Sequence, residues 1–219
     1  MRLALLGLGA LLVLLIAAQF VLPKIAAERI SSRVGRYGEV QSVSVSAWPA
    51  VKLLWGEVDS VKVRAGHLAL STSQAAKLLW ESHGVSTMDL SVSLAKVGPL
   101  QVEDAVLHKH GSLMSAHAQT TESDVRAALP EGLEVKFLDS REGQVEVQAS
   151  GGLFGVDASV DALAGASEGK LVAHPLAPLL EGFELTLFAD PHVFVEGVGA
   201  SVVSEQPRTY GLSMSASLR

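Results

Sequence analysis

Two hydrophobic periods divide the chain. Before residue 40, apolar positions are continuous or recur at helical spacing; after it, they alternate. Leu3 to Leu22 is a run of 20 residues whose only strongly polar member is Gln19. A helix of that length rises about 30 Å, the thickness of a bilayer's hydrocarbon core. Pro23 and Lys24 are expected to end it. Residues 1–23 therefore read as a transmembrane anchor. The alternative is a cleaved signal peptide, with Arg2 as a minimal basic region and Ala17-Ala18 near the cut. Phe20, Val21 and Leu22 continue the apolar run past that point, which favours the anchor. Beyond it, Ala26, Ile30 and Val34 recur at i, i+4 and i+8, with Arg29, Arg33 and Arg36 elsewhere around the wheel. This predicts a short amphipathic helix stopped by Gly35 or Gly38. It either packs on its own domain or lies on a membrane surface with its basic face among headgroups.

From residue 40 the period is 2. Val43, Val45 and Ala47 alternate with Ser42, Ser44 and Ser46; Val61, Val63 and Ala65 with Lys62 and Arg64; Leu90, Val92 and Leu94 with Ser91, Ser93 and Ala95. Val145, Val147 and Ala149 alternate with Glu146 and Gln148. Phe154 to Ala162 and Leu212 to Leu218 follow the same rule. Each run predicts a strand with one apolar and one wet face, and such sheets are usually antiparallel. Three interruptions read as helical: Ser73–Glu81 in STSQAAKLLWE, with Ala76, Leu79 and Trp80 on one side; Thr121–Leu129, with acids in its first turn; and a short turn over Pro175–Glu181. The pattern hints at repeated strand–helix–strand units. More than eight strands and few helices give an α+β class. An apolar sheet face must be buried, so the sheet curls on itself or encloses something else. Its Val, Ala and Leu leave room for an acyl chain and pack a helix equally well.

Composition narrows the functions. The 219 residues are 48% apolar and 18% charged, with net charge −6. Residues 24–219 suffice for one domain, elongated if built from two halves. No basic patch with interleaved aromatics is present, so nucleic acid is not an expected partner. The acidic balance also opposes general attraction to anionic lipid surfaces, so lipid contact must be largely apolar. There is no cysteine, which removes disulfides, thiolate catalysis and Cys-bound metal. The flanking charges, Arg2 against Lys24, Arg29, Arg33 and Arg36, oppose the usual orientation. The short leader resembles an export signal, so the domain is expected outside the membrane, or secreted if the leader is cut. A cytoplasm-facing domain is the alternative.

Candidate chemistry is sparse. His108 and His110 share a strand face but lack partners for a metal site, and Lys109 between them repels cations. There is no Gly-x-Ser-x-Gly elbow and no Gly-rich phosphate loop. No catalytic residue, metal or cofactor is expected, and the chain reads as non-enzymatic. The Trp48–Gly56 loop is the most aromatic and apolar in the chain: a lip entering a membrane or guarding a groove, or a cover over the sheet edge.

The order of segments resembles the actinobacterial LmeA-like family of envelope phospholipid-binding proteins. The resemblance rests on Ala27-Glu28-Arg29-Ile30, on Val43-Ser44-Val45-Ser46-Ala47-Trp48-Pro49-Ala50, and on Leu54-Trp55-Gly56-Glu57-Val58-Asp59-Ser60-Val61-Lys62-Val63. It continues through Val102–Leu107, Thr120–Leu129, Gly143–Val147 and Glu168-Gly169-Lys170-Leu171. It spans most of residues 24–219 and is specific in its order and in the Trp-Pro and Trp-Gly region. It implies an elongated domain like the tubular lipid-binding (TULIP) proteins, in which a strongly curved antiparallel sheet wraps around a few helices and leaves an apolar groove. It also implies binding, and in a further step transfer, of phospholipid or glycolipid at a membrane of the cell envelope. The region after Gly182 is shorter than that picture, which puts a glycan-specific role in doubt. Candidate lipid-contacting residues are Ile30, Val34, Trp48, Leu53, Leu54, Trp55, Phe137 and Phe154. An envelope scaffold binding a protein partner and no lipid is the competing reading.

Overall fold

The alternating runs pair into long strands. The computed structural model describes the backbone of residues 2–153, 156–178 and 182–219; the side chains of residues 2–17, 152, 153 and 156–158 lie outside that description. Helix α1 spans Arg2–Val34 with Pro23 inside it. The expected anchor and the expected amphipathic helix are thus one element, and the predicted stop at Pro23 is corrected. An interior proline lacks an N–H and crowds the preceding turn. Here it costs one backbone bond, while Ala26, Ala27 and Ile30 beyond it gain burial against the sheet. The glycine stop holds: Gly35–Tyr37 form a tight 3-10 turn before the first strand. The second half of α1 packs on its own domain. Among the described residues no helix is long and apolar enough to cross a membrane. Most side chains of the expected span Leu3–Leu22 lie outside the description.

Beyond α1 come β1 (Gly38–Ser46), β2 (Val58–Leu70), α2 (Thr72–Glu81), β3 (Val85–Val97), β4 (Leu100–His110), β5 (Leu113–Thr121) and α3 (Glu122–Ala128). They are followed by β6 (Leu133–Arg141), β7 (Gln144–Leu153), β8 (Val156–Ser167), β9 (Lys170–Pro175), β10 (Leu185–Phe188), β11 (Val193–Glu205) and β12 (Arg208–Leu218). Two open sheets form where one wrapped sheet was expected. The first has strand order β1-β2-β3-β4-β5-β12-β11, the second β10-β9-β8-β7-β6. The all-antiparallel expectation fails at one place, since β2 and β3 pair in parallel. The cause is α2, which carries the chain back so that β3 starts beside β2's beginning, as a crossover helix does. Ser71 caps α2, its side chain accepting from the Gln74 N–H while the Gln74 side chain accepts from the Ser71 N–H. Thr121 caps α3, its hydroxyl accepting from the Asp124 N–H and donating to the Asp124 carboxylate.

The apolar face of the first sheet is covered in parts. Ala26, Ala27 and Ile30 of α1 lie on Val45, Val61 and Val63, and Val34 lies on Ala65, Leu68, Val92 and Ala95. Each fully buried Val contributes about 1.5–3 kcal/mol. Helix α2 buries Ala76, with Leu79 beside it, against Met114, Val193, Ala216 and Leu218. Arg33 pairs with Glu81 at 2.9 Å, joining the ends of α1 and α2. Helix α3 packs on β4, β5 and β6.

The second sheet meets the first at the edge strand β11. Val198 N–H donates to Gly143 O at 2.9 Å, Val195 N–H to Gly169 O at 2.9 Å, and Ala200 N–H to Ser140 Oγ at 3.1 Å. The two turns at one end of the second sheet thus touch successive points along β11. Gly169 has φ +80°, and a Cβ there would sit 2.1 Å from the Phe194 ring, so both the turn and the closeness of the two sheets require glycine.

Candidate functional site

Strand register defines an apolar surface that crosses the junction. On the inner face of the first sheet, Leu107, Ala116, Met214 and Val198 form one row across β4, β5, β12 and β11. Ala118, Leu212 and Ala200 form part of the next. All seven are half-buried, between the areas covered by α1, α2 and α3. The following row reaches Tyr210, whose ring meets Phe137 of β6 edge-on with centroids 4.5 Å apart. Phe137 stands opposite Val147, which stands opposite Ala162. Val135, Ala149 and Val160 line up beside them on the same face. These six are half-buried as well. Among the described residues no helix covers this face beyond α3 at its β6 edge. The opposite face carries Glu134, Lys136, Gln148 and Asp161.

This surface is a strip and not a closed pocket. One cavity of about 530 Å³ opens mostly on the wet side of the first sheet, and one of about 510 Å³ lies where Ser140 of β6 meets β11 and β12, bordered by Ala118, Ala200 and Leu212. The larger is lined by Lys62, Asp89, His108 and His110, among others. His108 Nδ1 lies 2.8 Å from Asp89, and Lys62 lies 3.6 Å from the same carboxylate. The His108 hydrogen bond holds Asp89 below the usual carboxylate range. Among the described residues no three His, Asp or Glu groups converge on a common point.

Lys109 does not stand between the two imidazoles. It points to the opposite, inner face, in a row with Met88 and Met114, and is 3% exposed. Its amine donates to Val85 O, and burial lowers its pKa.

The predicted contact residues fall into three groups. Ile30 and Leu53 belong to the cluster of Val45, Val61 and Val63, and Val34 belongs to the neighbouring one. These three are half-buried and pack against the core of the first sheet, away from the strip. Trp48, Leu54 and Trp55 are 72%, 69% and 73% exposed at the tip between β1 and β2. The tip is pinned in place. Gln19 Nε2 donates to Ala47 O at 3.1 Å, and Ala50 N–H donates to Gln19 Oε1 at 2.8 Å. Trp48 N–H donates to Asp59, and Lys52 lies 3.5 Å from the same carboxylate. The single polar residue of the long apolar run thus clamps the tip to α1, where Phe20 and Val21 are exposed too. Phe137 lies at the junction, at the far edge of the first sheet from this tip. The tip therefore does not guard the strip. Phe154 lies outside the described residues.

Sequence reasoning missed Tyr210, Arg208 and the inward turn of Lys109. The first two were within reach, since Arg208 and Tyr210 continue the Leu212–Leu218 alternation backward in phase. A model of the LmeA-like phospholipid-binding family matches residues 14–203. The chain belongs to the LmeA-like family. Comparison with curated proteins and with solved structures gives no match.

Proposed function

We propose that this LmeA-like protein is a non-enzymatic phospholipid carrier held at a membrane of the cell envelope. The observation that carries the reading is the apolar strip that continues from the first sheet into the second across Phe137 and Tyr210. Its mechanism is partition. An acyl chain leaves the bilayer and displaces water from Val, Ala, Leu and Met side chains, at about 0.8 kcal/mol per buried methylene. No bond is made or broken. The apolar residues 3–22 supply the anchor, and Phe20, Trp48, Leu54 and Trp55 sit at the bilayer interface, where tryptophan is favoured. The domain faces outward from the membrane, and transfer follows when a lipid taken up on the strip is released elsewhere.

The test is photolabelling of the full-length chain in liposomes containing a phospholipid with a photoactivatable acyl chain. Adducts on β7, β8, β11 and β12 support the carrier. Adducts confined to α1 and the Trp48–Trp55 tip would sink it, leaving an anchored protein whose strip serves a protein partner.

A further inference from the structure

The apolar strip carries two polar side chains at its junction. Arg208 and Tyr210 are two apart on β12 and share its inner face. Tyr210 is fully buried, and its hydroxyl meets no hydrogen-bond partner among the described residues. The buried Arg208 Nε also lacks a hydrogen-bond partner; it forms an ion pair with the exposed Glu205 carboxylate at 3.8 Å. The Arg208 guanidinium lies 5.8 Å from the Tyr210 ring centroid, so both groups belong to one locus. A buried donor left unpaired costs about 1–3 kcal/mol, and phenylalanine would fill the Tyr210 site without that cost. Burial pushes the Tyr210 phenol up, with Arg208 pulling it down and Glu122 and Glu205 adding to the rise. The hydroxyl is therefore protonated and can donate. Arginine donates only. One cation and two donors suit an anionic oxygen group that only accepts.

We infer that Tyr210 and Arg208 bind the phosphate of a phospholipid whose acyl chain lies on the adjoining strip. The inference rests on the carrier reading and adds the point where the polar end is held. Tyr210 Oη–H and Arg208 Nε–H donate to phosphate oxygens, while Phe137 and Leu212 border the start of the acyl chain. The locus distinguishes a phospholipid from a diacylglycerol with identical chains, because only the former brings an anionic acceptor. Charge-assisted bonds of this kind are stronger than neutral ones.

The experiment measures competition against the photoactivatable phospholipid, with full-length protein in liposomes. Competitors are unlabelled phosphatidylglycerol and a diacylglycerol of the same chains. Wild type is expected to prefer the phospholipid by tenfold or more. Tyr210→Phe and Arg208→Gln should each reduce that preference at least fivefold, with Tyr210→Phe melting no lower than wild type. A preference that survives both substitutions overturns the phosphate site and leaves the carrier intact. Absence of strip adducts with the photoactivatable phospholipid overturns both. A melting shift with inorganic phosphate alone, lost in Tyr210→Phe, assigns the locus to free phosphate and overturns the headgroup assignment.

Discussion

The rings of Phe137 and Tyr210 meet edge-on at 4.5 Å, one from each sheet. Apart from this contact, the junction described above consists of bonds from β11 N–H groups to Gly143 O, Gly169 O and Ser140 Oγ, and of tight glycine approaches. The aromatic pair joins the two apolar faces into one. Phe137→Ala should remove the pair and part of a half-buried ring, costing about 2 kcal/mol. For a chain of this size that lowers Tm by about 4–8 °C. Phe137→Leu should recover more than half of the loss. Scanning calorimetry on the three proteins checks it.

The strip can be charged one face at a time. Ala149 lies on the apolar side of β7, and Gln148, its neighbour, on the wet side. Ala149→Asp places a carboxylate where an acyl chain would lie and should reduce photolabelling of β7 and β8 at least tenfold. Gln148→Asp should leave labelling within twofold. Circular dichroism should show both variants folded, because neither position is fully buried. Equal loss in both would mean that net charge governs labelling and not the face.

Much of this was legible along the chain. Alternation of Val with Ser marks β1, and the same rule marks β2, β3, β7 and β12, because a half-buried strand writes its two faces directly into the sequence. Helical spacing puts Ala76, Leu79 and Trp80 on one side, and there Ala76 is buried and Trp80 stacks on His192 at 4.1 Å. Strand direction and sheet number were not legible. The parallel β2–β3 pair depends on where α2 returns the chain, and the split into two sheets depends on β11 pairing with β12 while the second sheet abuts it. Period 2 is identical in all these arrangements. A core and a lipid site draw on the same residue types, so Ile30, Val34 and Leu53 read alike in either role along the sequence. Lys109 faces away from its neighbours His108 and His110, because adjacent strand residues point to opposite faces.

The tip makes a prediction about membranes. Trp48 and Trp55 are largely exposed and held by the Gln19 and Asp59 clamps. If they enter the bilayer interface, each contributes about 1.4 kcal/mol or more, a tenfold change in partition. Trp48→Ser with Trp55→Ser should leave Tm within 2–4 °C, about 1 kcal/mol at this size. In liposomes, the tryptophan emission of the wild type should shift to the blue, and the double variant should lose that shift. No blue shift in the wild type would show that the tip stays in water.

Lys109 gives a pH dependence of defined sign. Its amine is desolvated on the apolar face beside Met88 and Met114, and burial lowers its pKa from the ordinary lysine value of 10.5. Between the lowered folded value and the unfolded value, the unfolded chain binds more protons. Stability contributed at this site therefore rises with pH through that window and is lowest below it. Lys109→Met keeps the length of the side chain and removes the charge. It gives up the bond to Val85 O, which offsets part of the gain, since one partner of a buried bond is left alone. The variant should be more stable than wild type at pH 7 by about 1–2 kcal/mol. Its advantage should shrink as pH rises toward 10.5, above which the wild-type amine is neutral in both states. Urea unfolding of both proteins from pH 6 to 10 measures the difference directly. A difference that stays flat across that range would mean that Lys109 keeps its ordinary pKa and that its amine is hydrated in the folded protein.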